Sequence, residues 1–116
     1  MNNYRSGHWA EFVALTYLRL KGYRKVAANF VTGRGTGAGE VDLILRRGKT
    51  LVFAEVKKRA ALIDAAYAVQ PRQKERIRRA AEGFLARHPG YAGFDIRFDA
   101  VLVKLPFTIR HVKNAF

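Results

Sequence analysis

The 116-residue chain contains no cysteine, which excludes disulfide bonds and thiolate chemistry. It has no uninterrupted apolar run near the roughly 20 residues that a membrane-spanning helix requires. Its first residues, MNNYRSGHWAEF, lack the apolar stretch of a signal peptide. From these absences we expect a cytoplasmic protein that does not cross a membrane.

Acidic residues are scarce: 9 Asp and Glu stand against 22 Lys and Arg, for a formal net charge of +13 at pH 7. A charge of this size attracts polyanions and makes binding to phosphate backbones salt-dependent. Nucleic acid is therefore the leading partner class, although ribosomal and membrane-surface proteins share such a composition. The length and the 49% hydrophobic content predict a single globular domain over residues 1–116.

One charged pattern stands out in this basic chain: Asp42, Glu55 and Lys57, spaced as D-x12-E-x-K. The three residues belong to two segments rich in β-branched and other large apolar residues, 41–46 and 51–57. Two such segments separated by a short polar stretch predict a β-hairpin. A divalent metal held against a phosphodiester would account for carboxylates at this place in a basic protein.

The hairpin turn determines which side chains meet. Gly48-Lys49 suits a two-residue type II′ turn, in which glycine takes the first central position. The numbers of paired residues then sum to 97, so Asp42 lies opposite Glu55. Because side chains alternate along a strand, Glu55 and Lys57 share a face. The three charged side chains are therefore predicted to converge on one patch.

Two interpretations of this patch are open. Opposed Cβ atoms lie ~4.5–5.5 Å apart, and two carboxylates at that separation repel each other unless a partner is present. A Mg²⁺ or Mn²⁺ ion would offset the repulsion, with Lys57 supplying positive charge beside it. Alternatively, the face is an ordinary exposed one with a Glu40–Lys57 cross-strand ion pair, which contributes little to stability.

A first helix is predicted over residues 6–22, with Ser6 as its N-cap and Gly22 just past its C-terminus. Large apolar side chains on one side of this helix are Trp9, Val13, Tyr17 and Leu20. Glu11 projects at the edge of the apolar arc. It either complements the helix dipole or aims a carboxylate inward at a site.

A second helix is predicted over residues 70–88, with Pro71 at its first position. Its buried stripe comprises Ile77, Ala81, Phe84 and Leu85. Its basic residues are Arg72, Lys74, Arg76, Arg78, Arg79 and Arg87. They form either a solvated face or a phosphate-binding surface. Gln70 and Lys74 lie at the start of the helix, within reach of the hairpin site.

The remaining segments complete an α-β-β-β-α-β-β order, which predicts a mixed sheet flanked by two helices. Further strands are predicted at 23–31, at 95–105 near the sheet centre, and at 107–112 on an edge. The glycine-rich segment 33–39 lacks the Gly-Lys-Ser/Thr of a phosphate-binding loop. It is either a plain linker or a mobile loop with Arg34 available for a phosphate. Residues 61–69 are predicted to form a short helix or a loop.

Two polar features have simple structural explanations. Asp99 is predicted to pair with Arg97 or another nearby base. The three histidines, His8, His88 and His111, lack the spacing of metal ligands and are predicted to be structural or exposed.

Several stretches together resemble one family. They are GHWAEFVALTYLRLKGY, Asn29, GEVDLILRRGKTLVFAEVKKR, AVQPRQKERIRRAA, RFDAVLV and HVKNAF. This combination resembles the YraN-like bacterial family of uncharacterised proteins. That family is similar to archaeal Holliday-junction resolvases within the PD-(D/E)xK nuclease superfamily. The resemblance covers almost the whole chain.

The resemblance implies an α/β, restriction-endonuclease-like fold, a mixed β-sheet flanked by helices, with a metal site on the central hairpin. Asp42 and Glu55 match the acids of the motif and Lys57 matches its lysine, while Val41 replaces the usual proline. Glu11 matches the glutamate of the first helix in the resolvase-like branch.

The activity implied is that of a Mg²⁺- or Mn²⁺-dependent endodeoxyribonuclease acting on branched or junction DNA. The resolvase-like relatives also imply a homodimer. Asp42, Glu55 and the Val56 carbonyl would hold the metal, with Glu11 and Lys57 also catalytic. Basic residues that would contact DNA are Arg34, Arg72, Lys74, Arg78 and Arg79. Glu40 and Gln70 would be accessory. The alternative is a nuclease-like fold that binds nucleic acid without catalysis.

Overall fold

A five-stranded mixed sheet with a helix on each face organises the chain. The computed structural model describes residues 3–33, 37–58, 71–104 and 108–116. The sheet order is β1-β2-β3-β4-β5. The strands are β1 Arg24–Thr32, β2 Gly39–Arg47, β3 Thr50–Lys58, β4 Asp95–Lys104 and β5 Thr108–Val112. The helices are α1 Asn3–Leu20 and α2 Pro71–Arg87, and a 3-10 turn spans Pro89–Tyr91.

The strand pairing confirms the predicted mixed sheet. β3 and β4 pair in parallel, whereas the other three neighbouring pairs are antiparallel. α2 lies between β3 and β4 in the chain, as a parallel connection requires. The α/β fold class is confirmed and is consistent with a restriction-endonuclease-like fold. Neither described helix is long and apolar enough to cross a bilayer.

α1 packs on the sheet mainly through Ala10, Ala14 and Leu18, and only part of the large apolar side identified in the sequence joins that contact. Ala10, Ala14 and Leu18 are buried in the core beneath this helix. Trp9 is 37% exposed and Leu20 is 84% exposed. The alanines allow a close approach that bulky side chains would prevent, because protein interiors are close-packed. Val13 and Tyr17 are partly buried at the margin of this contact.

The two ends of α1 differ in how well the sequence predicts them. The helix begins at Asn3, so Ser6 lies inside it and is not its N-cap. No glycine or proline in the first five residues stops the helix from extending. Its C-terminus is as predicted: Gly22 has φ of 93°, and the Tyr23 N–H donates to the Leu18 carbonyl at 3.1 Å. This geometry is a glycine-dependent Schellman cap.

α2 lies against the opposite face of the sheet, and its backbone touches β2. Its buried residues are Ile77, Ala80, Ala81 and Phe84, and Leu85 is partly buried. A Cβ atom placed on Gly39 would lie 2.4 Å from the backbone nitrogen of Ala80. Only glycine permits this approach, three residues before Asp42. The predicted segment 61–69 lies outside the described residues.

A buried polar cluster joins β4 and β5. The Asp99 carboxylate is fully buried and accepts hydrogen bonds from Arg97 Nε at 2.9 Å, His111 Nε2 at 2.7 Å and the Asn114 N–H at 3.0 Å. Burial alone would raise the pKa of Asp99, but these hydrogen bonds outweigh it and hold the pKa below its ordinary value. Arg97 also donates to the Tyr23 hydroxyl. The predicted pairing of Asp99 with Arg97 and the structural role of His111 are confirmed.

We expect Gly39→Ala to destabilise the protein, because the added methyl group must push β2 and α2 apart. Overpacking of this kind costs about 1–3 kcal/mol, and each kcal/mol lowers Tm by roughly 4–8 °C in a domain of this size. Thermal unfolding followed by circular dichroism measures the change. Gly90→Ala is the matched control, since a Cβ atom there meets nothing within 4 Å. Equal Tm values for the two variants would contradict the packing.

Candidate functional site

The hairpin of β2 and β3 has the predicted turn and register. Gly48 has a positive φ of 59° and Lys49 does not have a positive φ. A type II′ turn requires this combination at its two central residues. The ladder runs from Arg47↔Thr50 to Leu43↔Ala54. Numbers of paired residues sum to 97 throughout.

Asp42 and Glu55 meet immediately beyond the last ladder pair. Oδ2 of Asp42 accepts the Val56 N–H at 2.8 Å, so the side chain of one strand binds the backbone of the other. The Glu55 carboxyl group, in a residue only 8% exposed, is hydrogen-bonded to Asp42. The predicted juxtaposition of the two acids is therefore present. The prediction concerned the carbonyl group of Val56. The contact that the structure shows is made by the N–H group of Val56.

The two carboxyl groups cannot both carry charge easily. Burial raises the pKa of Glu55 to about 9, together with the hydrogen bond to Asp42 and the negative charge of Asp42. Lys57 acts in the opposite direction but does not cancel these effects. At a pKa of about 9 the Glu55 carboxyl would keep its proton at neutral pH and share it with Asp42. A cation that replaced this proton would satisfy both groups.

Lys57 belongs to the acidic pair rather than to Glu40. Its Nζ lies 3.6 Å from Oε2 of Glu55. Oε2 of Glu40 instead lies 3.1 Å from Nη2 of Arg76 on α2. The alternative prediction was an exposed face with a Glu40–Lys57 ion pair. That ion pair is wrong, because each residue has a different partner. Because Glu40 lies beyond the last ladder pair, the register no longer brings it to Lys57.

α1 brings Glu11 to the same place. Glu11 is half-buried, and burial followed by the negative charge of Asp42 raises its pKa. A hydrogen bond from Asn29 and the proximity of His8 lower the pKa in part. The inward orientation, one of two alternatives from the sequence, is the one that the structure has.

Sequence reasoning assigned no role to Asn29, which the structure places in the site. Asn29 lies in β1 with φ of 52°, a left-handed conformation that is unusual within a strand. Its side chain donates to Glu11, and its neighbours in β1 pair with the residues on either side of Asp42. Asparagine tolerates this conformation better than other non-glycine residues. Its presence within the strand-like YRKVAANFV was the available signal.

The donors fit a cation that retains water ligands. Within the described ranges, no group of three or more His, Asp or Glu residues is close enough to hold a metal ion by itself. Mg²⁺ is commonly bound through one or two carboxylates, with water completing its shell. Asp42 and Glu55 match that requirement, and the proton trapped between them marks the place where positive charge is needed.

The basic residues of α2 differ in how freely they could contact a phosphate. Arg72 and Arg78 are exposed, and Lys74 is half-buried. Arg79 is bound to Glu75 at 2.7 Å, and Arg76 is bound to Glu40. The remaining two predicted residues, Arg34 and Gln70, lie outside the described residues.

The sheet, its flanking helices and the carboxylate-bearing hairpin define the class of protein, an α/β chain consistent with a restriction-endonuclease-like fold. The model of the uncharacterised protein family UPF0102 matches residues 10–103, a range that includes all four charged residues of the site. The chain belongs to UPF0102, the YraN-like family that its motifs resemble.

Relatives in this family match nearly the whole chain. A UPF0102 protein of Paramagnetospirillum magneticum is 50% identical over 115 residues, covering 97% of this chain and 87% of the relative. A UPF0102 protein of Bradyrhizobium diazoefficiens is 49% identical over 113 residues, covering 97% and 82%. One from Rhodopseudomonas palustris strain BisB18 is 50% identical over 113 residues, covering 97% and 81%.

Glu55→Gln tests the shared proton through stability. Between the ordinary pKa of 4.5 and the raised value of about 9, only the folded chain holds the Glu55 proton. Stability of the metal-free wild type therefore falls as pH rises through this window. Glutamine imitates the protonated acid, so we expect the variant to have the higher Tm at pH 8–9, by on the order of 5 °C.

The Tm difference should shrink as the pH falls below 4.5, where the wild type holds its proton in both states. Differential scanning fluorimetry in EDTA across this pH range gives the comparison. Glu82→Gln, on the exposed side of α2, is the control. A Tm difference that does not change with pH would refute the shared proton.

Asn29→Gly and Asn29→Ala separate the backbone of Asn29 from its side chain. Both variants lose the hydrogen bond to Glu11, so the pKa of Glu11 should rise further in both. Only alanine has an unfavourable left-handed conformation, at about 1–2 kcal/mol, so it should unfold at the lower temperature. NMR titration of the Glu11 carboxyl and thermal melts measure the two effects. An unchanged Glu11 titration would exclude the side-chain contact.

Proposed function

We propose that the protein is a metal-dependent endodeoxyribonuclease that hydrolyses DNA phosphodiesters, with branched or junction DNA as its preferred substrate. The observation that carries the proposal is the contact between the Asp42 and Glu55 carboxyl groups beside Lys57. Within the described part of the chain, Lys57 is the cation that the ion pairs place beside Glu55. A basic protein of charge +13 would bring a polyanion to it.

Asp42 and Glu55 would hold Mg²⁺ or Mn²⁺, and the Val56 backbone is adjacent to them. Such an ion, when bound, supplies a water of lowered pKa and stabilises negative charge on phosphoryl oxygens. The ammonium group of Lys57 would stabilise charge that develops on the phosphate. Glu11, held by Asn29, would accept a hydrogen bond from the attacking water and orient it.

Recognition of the DNA would depend on its shape. Exposed Arg72 and Arg78 on α2 would contact the phosphate backbone, together with half-buried Lys74 near the start of the helix. Phosphate contacts orient a nucleic acid but carry no sequence information. A branch, flap or junction is therefore a more suitable target than a particular base sequence.

Two broader parts of the proposal concern the assembly and its location. A homodimer would offer two sites for the two strands of a junction, and the chain end from residue 107 is the candidate surface. Phe116 already packs against Phe98 with ring centroids 5.7 Å apart, which leaves the edge of β5 for a second copy. We place the protein in the cytoplasm, where DNA and Mg²⁺ are both present.

A non-catalytic nucleic-acid-binding module is the second candidate. The observation that favours it is the absence, within the described ranges, of three acidic or histidine ligands grouped for a metal. Such a module would bind DNA with the same salt dependence but leave every strand intact.

Cleavage of labelled four-way junction, flap and linear duplex DNA with Mg²⁺ or Mn²⁺ distinguishes the two candidates. We expect wild type to cut the branched substrates. Glu55→Gln and Lys57→Met should lose on the order of 10²-fold or more, as removal of one electrostatic group from a site does. The control Glu82→Gln should cut like wild type. Cleavage that survives in both site variants would eliminate this site, and the absence of any cleavage would favour the binding module.

Calorimetric titration with Mn²⁺ tests the metal independently of cleavage. Wild type should bind the ion and release protons as it does so, because Glu55 must ionise. Asp42→Asn should bind at least tenfold more weakly. Wild type that takes up no Mn²⁺, or Asp42→Asn that binds like wild type, would remove the metal from the proposal.

A further inference from the structure

Six basic residues gather where the hairpin turns, at the end of the sheet away from the acidic pair. This hairpin-end cluster consists of Lys21, Arg24, Lys25, Arg46, Arg47 and Lys49. The register of β1 and β2 pairs Arg24 directly with Arg46. Directly opposed residues share a face with Cβ atoms ~4.5–5.5 Å apart, and like charges placed so are destabilising.

The cluster continues onto the other face of the sheet. Lys25 pairs with Leu45, whose side chain lies in the core beneath α1, so Lys25 projects on the α1 side. The Arg47 guanidinium lies 4.5 Å from the centroid of the Tyr23 ring. Its Nη1 donates to the Lys21 carbonyl at 3.4 Å. Positive charge therefore surrounds this end of the sheet on both sides.

No carboxylate of the described ranges forms an ion pair with any residue of the cluster. The ion pairs recorded in those ranges involve other bases. One acid lies near, since Asp95 pairs with Thr50 in the β3–β4 register and its N–H donates to the Lys49 carbonyl. A single exposed carboxylate leaves most of the six positive charges uncompensated. The fold thus keeps a repulsive contact that an anionic partner would relieve.

Both arginines of the hairpin are held in place before any partner arrives. The Arg46 guanidinium lies 4.8 Å from the centroid of the Phe94 ring, and its Nη2 donates to the Gly48 carbonyl at 3.2 Å. Arg47 is held similarly by Tyr23. A guanidinium stacked on a ring keeps other N–H groups available for the bidentate contacts that phosphate oxygens favour. Ordering the arginines in advance reduces the entropy lost on binding.

The spacing along β2 relates this cluster to the acidic pair. Arg46 lies four residues beyond Asp42, which is roughly 13 Å at ~3.3 Å per strand residue. A DNA strand carries one phosphate per ~3.4 Å of helix axis, so for a duplex whose axis runs along β2 the separation is on the order of four nucleotides.

We propose that the hairpin-end cluster is a second binding site for the phosphodiester backbone of DNA, about four nucleotides from the phosphate at the acidic pair. The contact would be additional to the one assigned to α2. Only the four-nucleotide spacing rests on the proposed function, because backbone binding itself requires no catalysis.

The test uses variants that remove charge without removing the stacked arginines. Arg24→Gln, Lys25→Gln and the double variant are compared with Lys113→Gln, an exposed base on the segment after β5. Affinity for a labelled four-way junction is measured by fluorescence anisotropy in EDTA over a series of salt concentrations. The same proteins are melted without DNA at low salt.

We expect the double variant to reduce the slope of log affinity against log salt by about 1.8, which is about 0.9 for each lost contact. Its affinity should fall at least tenfold at low salt, while Lys113→Gln stays within twofold of wild type. Arg24→Gln should melt at or above the wild-type temperature, because the opposed charge on Arg46 is relieved. The proposal would be overturned if the double variant had the same salt slope as Lys113→Gln. It would also be overturned if the double variant bound DNA more weakly but melted well below the wild-type temperature.

The absence of cysteine allows a direct map that does not depend on losing charge. An iron chelate attached to Lys49→Cys should cut the junction backbone by hydroxyl radicals, whereas the same chelate on Lys113→Cys should not. Equal scission from the two positions would reject the site. Vesicles of phosphatidylserine and phosphatidylcholine form the remaining arm. Vesicle binding that is lost in the double variant, with DNA binding intact, would reassign the cluster to a lipid surface and reject the DNA site.

Binding is measured in EDTA, so a protein that cuts no DNA does not contradict the hairpin-end site. Conversely, an unchanged salt slope in the double variant does not contradict the proposed DNA cleavage.

Discussion

Two carboxyl groups are held against each other where β2 and β3 stop pairing, and the site is organised around this repulsive contact. The register determines it, because Asp42 and Glu55 follow directly after the pair Leu43↔Ala54. The bond from the Val56 N–H to Asp42 then holds the two strand segments together. Lys57 and Glu11 are placed by the same hairpin and by the helix above it. If both groups were ionised they would repel each other, and bound positive charge, from a proton or a cation, would relieve that repulsion.

The sheet contains a second buried carboxylate, and the contrast between the two is informative. Asp99 receives hydrogen bonds from Arg97, His111 and the Asn114 amide, and its pKa lies below the ordinary value. Glu55 faces another acid, and its pKa is raised. Asp99 is satisfied by the protein and links β4 to β5. Glu55 has a perturbed pKa of the kind that often marks a functional site.

Sequence reasoning succeeds here where local geometry decides and fails where close packing decides. A glycine at the turn and alternating side chains were enough to place Asp42 opposite Glu55. Hydrophobicity alone does not identify the closest contact of α1 with the sheet, because the small Ala10 and Ala14 are buried there while the larger Trp9 and Leu20 are partly or largely exposed. The role assigned here to Asn29 required its φ of 52°, which no periodicity encodes.

The contact between Gly39 and the Ala80 backbone has a mechanical consequence. Most helices rest on a sheet through side chains that can change rotamer, so helix and sheet can slide slightly against each other. At this point main chain meets main chain, and no such compliance exists. The arginines of α2 and the carboxylate of Asp42 are therefore mounted on one rigid frame. The position of the helix relative to Asp42 is therefore set by a contact between two main chains, with the arginine side chains free to adjust.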